Sequence, residues 1–386
     1  MITRYSDSHI DDVFSEENKF YLWQKIELIY LNFLLQNLEE DSTDSTDIND
    51  LKAHYLQHRA SDINAIKYYE TWETKHELVA FLKDMDTRLN HEAARKYLHH
   101  GLTSSDIIDT ASVLQFKQAG AHLVSQVGEL YKAISLCLFK LEGVSTVGRT
   151  HGRHAEVIDF KDRVYNFLQE VLYCVNQFKL SLEDLPGMIS GPVGNNSQLD
   201  KDAAEKTLKV LGLKPSTYVS QALPRYLFAK PIWALSLLMS CYERFATLIR
   251  LSCINEVDEL QEPFTNEQCG SSSMPHKKNP IVSENICGLA RLSRSHVQVT
   301  LENIPLWWER DISHSSTERV IWPDAFHLIS TATKKLTVLL ADIKVNRDNI
   351  QSNLVASSVS SHKELTELSK GKPRVEAYNA VKNKYI

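Results

Sequence analysis

The stretch Gly270-Ser271-Ser272-Ser273-Met274-Pro275-His276-Lys277-Lys278-Asn279-Pro280 runs straight into an apolar pattern at Ile281, Val282, Ile286, Leu289 and Leu292. Asn279 followed by Pro280 reads as an N-cap and a first helical residue. A loop of small residues therefore empties into a helix. Gly270 and the serines leave that loop free to close over a ligand. The helix start offers unpaired N–H groups and the positive end of a dipole, and Lys277 adds a full charge beside it. Such a place suits a carboxylate. An ordinary exposed turn has no need of Met, Pro, Lys and Asn at fixed offsets.

Working outward, helical periodicity dominates the chain. Asp109 to Leu141 carries apolar residues at Val113, Leu114, Phe116, Leu123, Val124, Val127, Leu130, Ile134 and Leu138. Asp159 to Leu185, Pro231 to Leu260, Pro280 to Asn303 and Thr317 to Val345 repeat the pattern. Each is longer than the usual globular helix, which predicts an all-α bundle of long helices. Pro323 should kink or start one of them. The run Ile232-Trp233-Ala234-Leu235-Ser236-Leu237-Leu238-Met239 is apolar on more than one side, as expected of a helix buried all round in an oligomer. Strand alternation is hard to find. Residues 1–108 read as an N-terminal domain of shorter helices, 109–345 as the central long-helix domain, and 346–386 as a shortened, polar C-terminal segment. Glu39 to Asp50 reads as a solvated acidic loop.

Composition narrows the function. The chain has 386 residues, 43% hydrophobic and 24% charged, within the range of soluble globular proteins. A formal net charge of −6 argues against non-specific binding to nucleic acid or membranes. No apolar run reads as long enough to span a bilayer, and Met1 to Asp7 lacks the apolar core of a signal peptide. The six cysteines form no C-x-x-C pair, which suggests reduced thiols in a cytoplasmic protein. No spacing calls for a metal or another cofactor.

Four more segments collect polar residues, three of them at predicted helix ends. They are Tyr97-Leu98-His99-His100-Gly101-Leu102-Thr103-Ser104-Ser105-Asp106, Gly148-Arg149-Thr150-His151-Gly152, Trp308-Glu309-Arg310-Asp311-Ile312-Ser313-His314-Ser315-Ser316-Thr317-Glu318-Arg319, and Lys75-His76-Glu77. By residue type alone the histidines fit surface or core positions, and the Arg310–Arg319 charges fit a surface ion-pair network.

Together with the Gly270–Pro280 loop, these segments resemble the fumarase/aspartase superfamily, and within it the adenylosuccinate lyases. The resemblance runs in order from Arg4 to about Val345. It implies a homotetramer with helices shared in a common core, no cofactor or metal, and a small-molecule succinylated nucleotide as the partner. It implies elimination of fumarate from adenylosuccinate, or from the succinylated aminoimidazole carboxamide ribotide, in purine biosynthesis. Ser271 matches the general base and His151 the general acid. His76 matches a second histidine near the acid, and Glu284 a carboxylate that orients His151. Lys277, Asn279, Thr103 and Ser104 match holders of the succinyl carboxylates. Arg4, Tyr5, Arg310, Ser315 and Arg319 match readers of phosphate and ribose. Lys75, His99, Thr150 and Gln221 match further contacts.

The chain departs from the family pattern in four places. Glu156-Val157-Ile158-Asp159-Phe160-Lys161 stands for Glu-Pro-x-Thr-Phe-Gly, and Trp308 stands for His. Tyr226-Leu227-Phe228 stands for Asp-Arg-His, and Glu77 for Asp. The resemblance also leads one to expect a small helical C-terminal domain, most of which would be absent after Lys372. These departures leave two alternatives open: a divergent paralogue acting on another N-succinyl metabolite, or an inactive structural or heteromeric partner.

Overall fold

The computed structural model describes residues 1–39, 48–56, 61–265, 268–357 and 360–385. The first part holds α1 (Ser8–Val13), α2 (Glu16–Glu39), α3 (Ile48–Tyr55), α4 (Ile63–Tyr68), α5 (Glu77–Arg88) and α6 (Glu92–Tyr97). Next come α7 (Ser104–Lys140), α8 (Phe160–Glu183), α9 (Lys201–Val210), α10 (Tyr226–Ser252), α11 (Ile281–Glu302) and α12 (Ser313–Asp342). The chain then folds α13 (Arg347–Val355), α14 (Ser361–Leu368) and α15 (Arg374–Tyr385). Strand β1 (Ser145–Thr150) pairs antiparallel with β2 (Arg153–Asp159), and β3 (Leu260–Gln261) with β4 (Lys344–Val345). The fold is thus a long-helix, all-α architecture, as the periodicity predicts, with two small antiparallel pairs added.

Several boundaries move. α7 opens at Ser104, five residues before the predicted Asp109, so the Thr-Ser-Ser-Asp motif forms the helix's own first turn. Asp106 Oδ2 accepts the N–H of Thr103 at 2.8 Å, a capping interaction that places the start there. α10 ends at Ser252, because Leu260 is taken into β3. α12 begins at Ser313, so Pro323 lies inside it rather than at its start. In the predicted acidic loop Glu39–Asp50, residues 40–47 lie outside the described residues, while Ile48–Asp50 already belong to α3. The polar C-terminal segment forms three helices. By length and composition α10 is also long and apolar enough to cross a membrane, contrary to the sequence expectation. In the fold, 56% of its apolar stretch is buried within the protein, the environment of a helix that is apolar on several sides.

The chain forms two units that are interleaved rather than consecutive. The first comprises Met1–Ser125, Val175–Leu237 and Leu292–Thr331, and the second Gln126–Cys174, Leu238–Arg291 and Ala332–Ile386. The sequence boundaries at 108/109 and 345/346 do not coincide with them, since α7, α8, α10, α11 and α12 each contribute to both units. In the first unit, Phe116 of α7 meets Phe228 of α10 and Trp322 and Phe326 of α12, with ring centroids 5.0–5.4 Å apart. Phe116 is fully buried, and such a ring contributes about 1.5–3 kcal/mol by leaving water. In the second unit, Phe167 of α8 stacks on Phe245 of α10 at 4.0 Å, and the buried Tyr242 hydroxyl meets Thr333 of α12 at 3.2 Å.

Candidate active site

In the first unit, a cavity of about 380 Å³ takes its wall from α2, the start of α5, the first turns of α7 and the start of α12. Six of the residues singled out in the sequence line it: Lys75, His76, Ser104, Arg310, Ser315 and Arg319. Lys75 and His76 reach it through local backbone geometry. A π-helical turn, Tyr69–Thr74, ends at Lys75, which holds φ at +54°. His76 is the extended residue before α5, and its carbonyl accepts the N–H of Ala80 at 3.0 Å. Arg310 is braced from below by a 2.8 Å hydrogen bond to Gln221 Oε1, while the Gln221 amide donates to the carbonyl of Pro192. Gln221 thus touches Arg310, a lining residue, and is not itself part of the cavity lining.

The electrostatics of this cavity centre on Glu77, which the sequence presented only as a departure. Its carboxylate pairs with Lys19 of α2 and, at 2.8 Å, with Arg319 of α12. Burial alone would raise the pKa of Glu77, but Lys19 and Arg319 outweigh it and hold the carboxyl below its usual value. Lys19 was not visible as a site residue. It sits in the polar run Ser15-Glu16-Glu17-Asn18-Lys19, which has the look of a solvated helix start.

Behind the cavity, α7 opens over buried polar contacts. Asp106 accepts backbone N–H bonds from Ser190 (2.7 Å), Gly191 (3.2 Å) and Thr103 (2.8 Å). Burial outweighs these donors and pushes its pKa up to about 6. Gly101 permits the close approach of this loop: a Cβ there would stand 2.4 Å from the carbonyl oxygen of Gln198. His99 binds the fully buried Glu27 through Nδ1 at 2.6 Å. Burial opposes charging of the ring, yet the Glu27 carboxylate prevails and raises the His99 pKa. Arg4 and Tyr5 form a short 3₁₀ turn, with the Tyr5 carbonyl accepting from Thr331 at 2.8 Å. Arg4, Tyr5, His99, Thr103 and Gln221 are outside the cavity lining.

The second unit carries the remaining predicted residues. His151 and Gly152 are the two central residues of the β1–β2 hairpin turn, with φ at +53° and +75° and with Thr150 paired to Arg153. Positive φ at both positions is the geometry of a type I′ turn, which suits the twist of the flanking strands. His151 is thereby held exposed at the tip. The hairpin is fastened below it: Arg149 donates to Glu259 Oε1 at 2.8 Å, and Arg163 of α8 donates to the Val147 carbonyl at 2.9 Å. Glu259 is fully buried and also accepts from Asn353 of α13 at 3.2 Å. The C-terminal segment thus buttresses the hairpin.

In the signature loop, Ser271 Oγ accepts the N–H groups of Ser273 and Met274 at 3.3 and 3.4 Å. Gly270 is required by packing, because a Cβ would lie 2.3 Å from the Pro275 carbonyl oxygen. The expected helix cap differs. α11 begins at Ile281, one residue late, and the carbonyl of Pro280 accepts its first bond, from Glu284 at 3.0 Å. The free N–H groups expected to receive a carboxylate already have one. Glu262 binds the N–H groups of Val282 and Ser283 at 3.0 and 2.8 Å, so this helix end is closed by the chain itself. Lys277 and Glu284 are exposed and Asn279 half-buried. His151 and Glu284 make no hydrogen bond to each other, since one sits at a hairpin tip and the other on an exposed helix face.

Backbone strain supplies an independent marker. Among the described residues, six non-glycine residues have positive φ, and four of them, Lys75, His99, His151 and Trp308, lie in the motifs singled out from the sequence. Such strain concentrates at functional sites.

The sequence profile of the lyase family matches residues 32–292. Adenylosuccinate lyase of Thermotoga maritima is 35% identical over 99% of this chain and 87% of its own length. The Bacillus subtilis enzyme of that name is 34% identical over the whole chain and 88% of its own length. The crystal structure of a fumarate lyase from Mesorhizobium sp. BNC1 superposes with a TM-score of 0.83 at 20% identity, covering 98% of this chain and 85% of that one. A 3-carboxy-cis,cis-muconate lactonizing enzyme from Pseudomonas putida gives 0.80, also at 20% identity, covering 98% of this chain and 85% of that one. Fold and profile together define a lyase of the fumarase/aspartase type. Within that class, the chain belongs to the adenylosuccinate lyase family.

Proposed function

We propose that this chain eliminates fumarate from adenylosuccinate to give AMP, and from the succinylated aminoimidazole carboxamide ribotide, in cytoplasmic purine biosynthesis. The observation that carries this reading is the convergence of Lys75, His76, Ser104, Arg310, Ser315 and Arg319 on one cavity in a chain of this family.

The chemistry follows from the residues. A proton beside a carboxylate is weakly acidic, and its removal builds a second negative charge onto that carboxylate. Fixed cations and N–H donors stabilise that charge. Ser271 takes the proton from the succinyl carbon. A serine is a poor base in water, and two features favour it here: the N–H groups of Ser273 and Met274 point at Oγ, and the loop can close and exclude water. The C=C bond forms as the C–N bond breaks, and His151 protonates the departing nitrogen. A histidine titrates near neutral pH and is suited to that step. Thr103, Ser104, Lys277 and Asn279 hold the succinyl carboxylates, while Arg4, Tyr5, Arg310, Ser315 and Arg319 hold phosphate and ribose. Lys75, His99, Thr150 and Gln221 are further contacts, and Glu284 orients His151.

The working form is a homotetramer in which His99, His151 and the Ser271 loop of one site come from three chains. The apolar surface on the long helices supports this: on α7 alone, Tyr131, Leu136 and Phe139 are 47%, 55% and 81% exposed in the single chain. Residues with partners on other chains would also leave His151 and Glu284 apart within one chain.

Fumarate release from adenylosuccinate tests the activity, and Ser271→Ala should abolish it while AMP still binds. Mixing Ser271→Ala with His151→Ala chains should restore part of the turnover. Hybrid tetramers that remain inactive, or an active monomer by light scattering, would refute the shared site. A second reading, a paralogue acting on another N-succinyl metabolite, is favoured by Trp308. It stands 91% exposed at positive φ where the family has His. That reading wins if adenylosuccinate is inert and another succinylated metabolite reacts.

A further inference from the structure

His314 lines the same cavity as Arg310, Ser315 and Arg319, yet neither the family resemblance nor the proposed chemistry gives it a role. It is 5% exposed. Its Nδ1 meets Glu318 Oε2 at 2.9 Å, one helical turn along α12. Its Nε2 is buried and has no hydrogen-bond partner.

The ring is held firmly. Glu318 lies 3.7 Å from Nε of the buried Arg225, whose NH2 group binds Asp109 at 2.8 and 2.9 Å. Asp109 in turn accepts the N–H of Leu223 at 2.9 Å. Burial disfavours the charge on Arg225, but Asp109 and Glu318 outweigh it and raise its pKa. A chain of polar contacts, Asp109–Arg225–Glu318–His314, therefore runs from the protein interior to the cavity wall. Each link fixes the rotamer of the next. A buried ring nitrogen without a partner carries an uncompensated desolvation cost, which an acceptor on a bound ligand at the cavity wall would relieve.

We propose that His314 is a further substrate-binding residue, donating from Nε2 to the phosphate of the bound nucleotide. This rests on the reading that the cavity receives that phosphate. Nδ1 is taken up by Glu318, so Nε2 is the ring nitrogen left to donate to the phosphate. The neighbours agree with an anionic ligand. Ser315 and Arg319 stand on the same two turns of α12, and Arg310 lies just before it.

The test is calorimetric binding of AMP and of adenosine to the full-length wild type, His314→Asn, His314→Gln and Arg319→Ala. Asn retains a donor near Nδ1 but places nothing at Nε2. We expect His314→Asn to weaken AMP by about tenfold to a hundredfold, the range for losing one hydrogen bond to a charged group, with adenosine unchanged. Gln reaches the Nε2 position and should recover most of the AMP affinity. His314→Phe, which keeps the ring volume and removes both nitrogens, should show the same AMP-selective loss if Asn proves unstable. Wild-type AMP affinity in the Asn and Phe variants would overturn the proposal. So would an equal loss of AMP and adenosine, since that marks a structural role. Loss of AMP in Arg319→Ala but not in the His314 variants refutes this inference alone. A wild type that binds no AMP refutes the reading of the cavity and the inference with it.

Discussion

Replacing Glu259 by Gln should damage both stability and turnover, through the hairpin that presents His151. Glu259 is fully buried, and two guanidiniums share it: Arg149 at 2.8 Å and Arg163 at 3.6 Å. At an effective dielectric constant of about 20, these distances correspond to gross attractions of about 6 and about 5 kcal/mol. Desolvation of three charges offsets most of that, so the intact cluster adds little net stability. The variant is a different matter. It leaves two cations, Arg149 and Arg163, only 20% and 16% exposed and without a counter-charge. Removing one partner of a buried pair costs about 3–5 kcal/mol. Gln keeps an acceptor for one guanidinium, so we expect a loss of about 2–4 kcal/mol and, for a chain of this length, a fall in Tm of roughly 2–5 °C.

The catalytic effect follows by position. Arg149 lies two residues before His151 on β1, and Asn353 of α13 binds the same carboxylate. Loosening that anchor shifts the turn, and a displacement of about 1 Å at a reacting group can cost about a hundredfold in rate. Assayed well below its melting temperature, Glu259→Gln should lose at least about tenfold in kcat with KM little changed. Wild-type Tm and kcat together would refute the whole argument. A lowered Tm with unchanged kcat would leave the cluster as structural and refute its role in positioning His151.

Two further outcomes are expected. Asp106 holds its proton up to about pH 6 in the folded chain but only to about 3.8 when unfolded, so its contribution to stability falls as pH rises through that window. A shift of about two pKa units amounts to about 3 kcal/mol. The Tm of Asp106→Asn relative to wild type should accordingly improve between pH 4 and 6.5, and parallel curves would show that burial does not govern this residue. Gly270→Ala should suppress turnover with little change in Tm, because the added Cβ meets the Pro275 carbonyl at 2.3 Å in an exposed loop; a fully active variant would mean that the loop works in another conformation.

Local order carried the long helices into the sequence. An apolar repeat near 3.6 residues is a property of neighbouring positions, so α7, α8, α11 and α12 were readable to within a few residues except where a cap intervened. The start of α7 was missed because Asp106 had to be seen both as a helical residue and as the acceptor that caps it. The β1–β2 hairpin does not show in the sequence because neither strand alternates buried and exposed residues and its turn is His-Gly. The chemically loaded motifs were equally legible, because loops that bind ligands keep unusual residue types close together along the chain.

What the sequence could not contain was which distant charges meet. Nothing in the order of residues says that Lys19 and Arg319 share Glu77, that Glu259 takes Arg149, Arg163 and Asn353, or that Asp109 stands behind His314 through Arg225 and Glu318. Nor does it say that Glu262 already closes the helix end which looked open for a substrate carboxylate. Sequence by itself determined the helical class, the family and the candidate residues, because helix period and motif spacing are local. Only the tertiary structure decided which of those residues line one cavity and which act through another, because buried electrostatic partners are chosen by packing and not by proximity along the chain.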